Sequence, residues 1–178
     1  VPCSKRSMTE RSTANPKLTA ERSSPLVSVV VVNWNGRRHL PTCLDSLRAQ
    51  TYPHVEVIVA DNASTDGSPD LVRESYPEVR LVALPENRGF TGGNNAGIAA
   101  SRGAIVILLN NDTEVAPDWV EQVVAAFHRH PEAGLVASKL LLFDRRDTFH
   151  TAGDFYRLDG LPGYRGVWQR DEGQCDRE

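Results

Sequence analysis

Residues 104–114 read AIVILLNNDTE, an unbroken apolar run that ends on three polar side chains, Asn110, Asn111 and Asp112. Where helices cover both sides of a strand its polar alternation disappears, so this run is expected as a strand buried on both faces of a mostly parallel sheet. Such sheets bind ligands just beyond the carboxyl ends of their strands. The polar tip is therefore the first place to look for chemistry.

The flanking text follows the same pattern. VSVVVVN at 27–33 reads as a first strand, and Leu40, Cys43, Leu44 and Leu47 fall at i, i+3, i+4 and i+7, the apolar stripe of a helix that tolerates Pro41 only in its first turn. A second strand is expected at 55–60, then a helix with Ser68 as cap and Pro69 at its first position, then a third strand at 79–84. A glycine-rich helix over 91–101 leads into the fourth strand at 104–109. Pro117 opens a helix whose buried side is Trp119, Val120, Val123, Val124 and Phe127, and a short fifth strand is expected at 133–137. Strands alternating with helices predict an α/β fold built from right-handed crossovers, with a mostly parallel central sheet and helices on both faces.

Both ends of the chain read differently. Residues 1–25 are rich in Ser, Thr, Lys, Arg and Glu and nearly lack large apolar side chains, which predicts a flexible leader without the apolar core of a secretory signal. From about 140 the text mixes aromatics with Gly and Asp and loses periodicity, as loop and hairpin material around an open site would.

Charge and cysteines narrow the classes of partner. A formal net charge of −3 argues against nonspecific nucleic-acid binding, which needs a dense cationic face. Cys3, Cys43 and Cys175 lack metal-like spacing and are odd in number, which points to a reducing, cytoplasmic compartment, with peripheral association at the inner face of the cell membrane left open. No G-x-G-x-x-G follows the first strand, and neither G-x-x-x-x-G-K-[ST] nor G-x-S-x-G occurs, which disfavours a dehydrogenase, a P-loop enzyme and a nucleophilic hydrolase.

Three strand ends carry polar groups: Asn33, Trp34 and Asn35; Asp61 and Asn62; and Asn110, Asn111 and Asp112. On one edge of a parallel sheet these groups can read a base and ribose while the last cluster faces phosphates; the alternative is that Asn and Asp simply make turns there. Gly92, Gly93 and Gly97, in the segment 87–103, lie within the expected helix of residues 91–101 and cost it on the order of 3 kcal/mol of propensity relative to alanine. Close approach to a diphosphate, with Arg88 as a cation, would offset that cost, and so would tight packing of helix on sheet. Asp112 beside a diphosphate, at about 4 Å and an effective dielectric of about 20, meets a repulsion of about 4 kcal/mol that a divalent cation reverses. Mg²⁺ commonly takes one or two protein carboxylates plus phosphate oxygens, so a single Asp suffices; Glu114 either adds a second oxygen or faces solvent.

Three stretches, VSVVVVNWNG, QTYPHVEVIVADNASTDGS and ENRGFTGGNNAGIAASRGAIVILLNNDT, resemble the family 2 glycosyltransferases in order and spacing over about residues 26–155. The N-W-N-G and L-N-N-D-T wording is most similar to bacterial rhamnosyltransferase-type members that build cell-surface polysaccharide. The resemblance implies a GT-A nucleotide-sugar-binding domain over 26–155, with 156–178 beginning an acceptor-side region. It implies that Asn33 and Asn35 lie near base and ribose, that Asp61 hydrogen-bonds the base with Asn62 in support, and that Arg88 and Asn95 border the diphosphate and sugar. Asn110, Asn111 and Asp112 take the place of the family's D-x-D, with Asp112 as the Mg²⁺ or Mn²⁺ ligand. Asn110 replaces the first acidic residue, which weakens metal binding in the absence of donor.

What the resemblance implies for function is inverting transfer of a sugar from a nucleotide diphosphate to a saccharide or lipid-linked acceptor. The family's catalytic base has no E-D or D-D match between Phe143 and Glu178 and is expected beyond Glu178; Asp144, Asp147, Asp154 and Glu172 read as loop polarity. Two other classes compete: a binding module that lacks the base, and a nucleotidyltransferase, which should carry a glycine-rich basic loop where NWNGRR supplies one glycine.

Overall fold

The computed structural model describes residues 24–176, so most of the expected leader, with Cys3, lies outside the described residues. Four strands, β1 (Val27–Asn33), β2 (Val55–Asp61), β3 (Arg80–Ala83) and β4 (Ile105–Asn110), form one parallel sheet in the order β3-β2-β1-β4. The connections carry α1 (Leu40–Arg48), α2 (Ser68–Ser75) and α3 (Gly89–Ala100), and α4 (Trp119–Arg129) follows β4.

Alternation along β1 divides the helices between two faces. Val27, Val29 and Val31 point to one side, where they pack with Leu40, Cys43, Leu44 and Leu47 of α1, Val72 of α2 and Val120 and Val124 of α4. Each such side chain contributes about 1.5–3 kcal/mol when fully buried. The opposite face is covered by α3, which lies against β1 and β2. Gly93 and Gly97 set that approach: a Cβ on Gly97 would stand 2.2 Å from Val30 Cγ1, and one on Gly93 2.7 Å from Val32 Cγ1. Packing of helix on sheet is thus what these two glycines serve.

Three sequence expectations need correction. β4 is an edge strand among the described residues, and because α3 sits over β1 and β2, Val106 and Leu108 are 39% and 49% exposed rather than buried on both faces. No strand forms at 133–137, where the Ala133 N–H donates to the His130 carbonyl at 2.9 Å, and pairing begins instead with β5 (Leu140–Leu141) against β6 (Phe149–Thr151). Finally, Ser68 is the first residue of α2 rather than its cap. The cap is Gly67, at φ +80°, and the Ser68 hydroxyl donates to Asp66 Oδ1.

The expected hairpin material is present as β7 (Asp154–Tyr156) against β8 (Pro162–Tyr164). Fully buried Phe149 anchors this region, and Lys139 Nζ donates to Asp171 and Asp176 at 2.7 Å each.

Alanine at position 97 tests the helix-on-sheet contact. It should gain about 1 kcal/mol of helix propensity yet lose about 1–3 kcal/mol by overpacking against Val30, so Gly97→Ala is expected to destabilise by about 1 kcal/mol in urea titration. Val30→Ala in the same chain should make the added methyl tolerable, giving a smaller loss than the two single changes summed.

Candidate functional site

Parallel register brings the polar strand ends together. Asn33 pairs with Asp61 across β1 and β2, and Val32 pairs with Asn110 across β1 and β4. Asn33 has no exposed surface, and a buried amide must find partners for both of its polar atoms. Its Nδ2 donates to Asp61 Oδ1 at 2.9 Å and to Ser64 Oγ at 3.1 Å, while its Oδ1 accepts from Asn111 Nδ2 at 2.8 Å. Gly36 leaves room for that amide pair, since a Cβ there would fall 2.2 Å from Asn111 Nδ2. Asp61, 2% exposed, also accepts from the Ser64 N–H at 2.9 Å. With about four acceptor positions on a carboxylate, Asp61 keeps capacity for a further donor.

Asn62 performs a second tie. Its Oδ1 accepts from the Arg88 N–H at 3.1 Å and its Nδ2 donates to the Gly89 carbonyl at 2.8 Å, which fastens the N-terminal end of α3 to the end of β2. The loops after β1 and β2 are laced to each other as well. Asn35 N–H donates to Ser64 Oγ and Thr65 N–H donates to Asn35 Oδ1, both at 2.8 Å. Arg37 donates from its backbone to Asp66 Oδ2 and from Nη1 to the Gly67 carbonyl, again at 2.8 Å. Burial pushes the Asp66 carboxyl up, but the Ser68 hydroxyl and the Arg37 and Ser68 N–H groups outweigh it and hold the group below the usual carboxylate range.

Beside this network lies a cavity of about 510 Å³ lined by Val32, Trp34, Asn62, Asn87, Gly89, Phe90, Asn110, Asn111 and Asp112. Trp34 and Phe90 are 59% and 64% exposed. A second, more apolar cavity of about 560 Å³, walled by Leu140, Leu141, Leu142, Phe143 and Trp119, shares Asn110 and Asp112 with the first.

The sequence-derived residues thus divide. Asn62, Asn110, Asn111 and Asp112 line the cavity; Asn33 and Asp61 are buried next to it, joined to Asn111 by hydrogen bonds. Asn35 is outside the lining, with its amide oxygen on Thr65. Arg88 contributes its backbone to the Asn62 tie, while its guanidinium lies 3.5 Å from Glu86, and Asn95 is exposed on α3 away from the lining. Trp34 belongs to the strand-end cluster without a role assigned from sequence, and Asn87, Phe90 and Ser64 went unnoticed. An aromatic set among glycines, as Phe90 is, was the available signal.

Electrostatics single out one carboxylate. Glu114 is exposed and paired: Arg146 donates to both of its oxygens, at 3.2 and 2.6 Å, and this contact holds the Glu114 carboxyl below its ordinary range. Asp112 is exposed in the cavity wall. No group of three His, Cys, Asp or Glu able to hold a metal occurs among the described residues. The donor set therefore suits a cation that brings most of its own ligands, such as phosphate oxygens, and does not suit a resident metal cage.

A family model for glycosyl transferase family 2 matches residues 28–171. The chain belongs to that family. It is 35% identical over 156 residues to the O-antigen biosynthesis protein RfbC of Myxococcus xanthus, covering 85% of this chain and 12% of that protein. It is 36% identical over 104 residues to the putative glycosyltransferase EpsH of Bacillus subtilis, covering 57% of this chain and 30% of EpsH. The succinoglycan biosynthesis protein ExoO of Rhizobium meliloti is 40% identical over 101 residues, or 56% of this chain and 29% of ExoO. The chain thus spans under a third of the length of each of these relatives. A solved mannosyltransferase from Pyrobaculum calidifontis, in complex with GDP-Man and Mn²⁺, superposes with a TM-score of 0.54 at 32% identity over 58% of this chain and 32% of its own. Staphylococcus aureus TarS shares the fold at 20% identity, with a TM-score of 0.56 over 76% of this chain and 43% of the TarS chain. The fold of this family 2 member is GT-A.

Cys43 reports on the integrity of the layer beneath the site. Burial, and then the charge of Asp112, push its thiol up to about 12, so almost no thiolate forms at neutral pH. Cys43 is expected to resist iodoacetamide in the folded chain and to label in denaturant, while partly exposed Cys175 labels in both; peptide mass mapping after a short pulse distinguishes them.

Proposed function

We propose that this chain is the donor-binding part of an inverting glycosyltransferase that takes a nucleotide diphosphate sugar and passes the sugar to a saccharide or lipid-linked acceptor in cell-surface polysaccharide synthesis. The observation that carries the reading is the hydrogen-bonded run Asp61–Asn33–Asn111, which ends next to Asp112 at a cavity of about 510 Å³. Relatives named for O-antigen and succinoglycan synthesis support the pathway class, and the GDP-Man and Mn²⁺ of the solved mannosyltransferase support the ligand class.

In this reading Asp61 accepts a hydrogen bond from the base through its unoccupied acceptor positions. The aromatic faces of Trp34 and Phe90 border the nucleoside, and the amides of Asn110 and Asn111 offer donors to phosphate oxygens without adding negative charge. Asp112 would hold Mg²⁺ or Mn²⁺, which supplies charge neutralisation for the leaving diphosphate. Inversion by direct displacement further requires a carboxylate to accept the proton of the acceptor hydroxyl. Among the described residues Asp112 is the one carboxylate lining this cavity and has the cation to hold, so the base comes from outside that lining. That same single carboxylate favours a second reading, a nucleotide-sugar-binding module without turnover.

Among the described residues no helix is long and apolar enough to cross a membrane.

Calorimetric titration with UDP, GDP and TDP, with and without Mn²⁺, tests the site. At least one nucleotide is expected to bind, more tightly with the metal. Asp112→Asn should abolish the metal-dependent increment. Asp61→Ala should weaken binding by about 1.5–3 kcal/mol, roughly 10- to 150-fold, whether or not the metal is present. Absence of heat with all three nucleotides in a folded sample would remove the donor-site reading, and hydrolysis or transfer of a labelled sugar would remove the turnover-free module.

A further inference from the structure

Asn35 is exposed at the lip of the site and outside the cavity lining, and its N–H and Oδ1 are both bonded to the neighbouring loop. Its backbone sits at φ +50°, in the left-handed region that Asn tolerates better than most side chains, and this turns its N–H toward Ser64 and its Oδ1 toward Thr65. Across the gap, Ala63 also holds a positive φ, +57°, so both loops bend sharply where they meet. Ser64 Oγ accepts from the Asn35 N–H and from Asn33 Nδ2, while the Ser64 N–H donates to Asp61 Oδ2. One residue before Asn35 is Trp34, in the cavity wall. Asn35 thus connects the residue that presents an aromatic face with the loop that orients the Asp61 carboxylate.

We propose that Asn35 is a positioning residue for nucleobase recognition: by bridging the loops after β1 and β2 it holds Trp34 and Asp61 in one fixed arrangement, and it makes no contact of its own with the donor. The inference rests on the donor-site reading above. It differs from a direct contact with base or ribose in what it demands of the side chain. Only an acceptor oxygen two bonds from Cβ and a tolerated left-handed backbone are needed. Asp supplies both; Gly supplies the backbone and lacks the oxygen.

The experiment compares Asn35→Gly and Asn35→Asp with the parent chain in two measurements. In the first, the nucleotide diphosphate that the parent binds among UDP, GDP and TDP is titrated beside inorganic pyrophosphate, both with Mn²⁺. Asn35→Gly is expected to weaken the nucleotide at least tenfold and to leave pyrophosphate within twofold of the parent, while Asn35→Asp stays within about threefold for both. Equal loss of nucleotide and pyrophosphate in Asn35→Gly, or a loss in Asn35→Asp as large as in Asn35→Gly, overturns the proposal, the latter because the amide nitrogen would then be touching the donor. In the second, amide hydrogen exchange is followed without ligand. The Thr65 amide and its neighbours through Gly67 are expected to exchange at least tenfold faster in Asn35→Gly at unchanged urea midpoint, and unaltered exchange there overturns the bridge itself. A parent that binds none of the nucleotides defeats the donor-site reading and, with it, the nucleobase role, even where the exchange result shows the bridge to be present.

Discussion

A fully buried asparagine at the end of the central strand governs how this site is built. Asn33 sits where β1 leaves the sheet, flanked by β2 on one side and β4 on the other, and its amide must donate and accept without help from water. Leaving either atom unpaired costs about 1–3 kcal/mol. Asp61 and Ser64 take its two N–H bonds and Asn111 supplies the bond to its oxygen, so satisfying one side chain draws in the loops after all three strands. The polar rim is assembled by the same requirement that keeps the core dry.

Charge is distributed sparingly around that rim. Where a second carboxylate beside Asp112 would raise the repulsion toward an anionic ligand, Asn110 and Asn111 present neutral amides, and the next acid along, Glu114, is neutralised by Arg146. Asp61 is held away from the surface by Asn33 and Ser64. Among the described residues the cavity is left with one exposed negative charge, which suits a cation shared with a phosphate-bearing ligand better than a cation bound in advance. The same charge reaches inward to the Cys43 thiol and reinforces the effect of burial there.

Much of this was legible in the residues. VSVVVVN, the stripe Leu40, Cys43, Leu44 and Leu47, and the alternation of strands with helices specify a parallel sheet because period and burial leave few other solutions. Parallel strands, in turn, place all carboxyl ends on one edge, so the convergence of Asn33, Asp61 and Asn110–Asp112 could be anticipated. Less legible were features in which distant segments compete for a partner. The apolar run of 133–137 has strand composition, yet pairing depends on an edge being available, and the pairing occurs instead at Leu140 and Leu141. Whether Gly93 and Gly97 serve a ligand or the sheet likewise turns on a helix-to-strand distance that no local pattern encodes; Val30 and Val32 settle it.

By itself, the sequence determined the layers, the strand order's parallel sense and the identity of the polar strand ends, because these follow from local periodicity and from the handedness of short crossovers. Only the tertiary structure decided what each polar group does. Asn35 turns to Thr65, Asn62 to the start of α3 and Arg146 to Glu114, while Asp112 lines the cavity beside Asn110 and Asn111. The reason is that a hydrogen bond's direction is set by where the second partner lies, and here each partner arrives from a segment about thirty residues away or more in the chain.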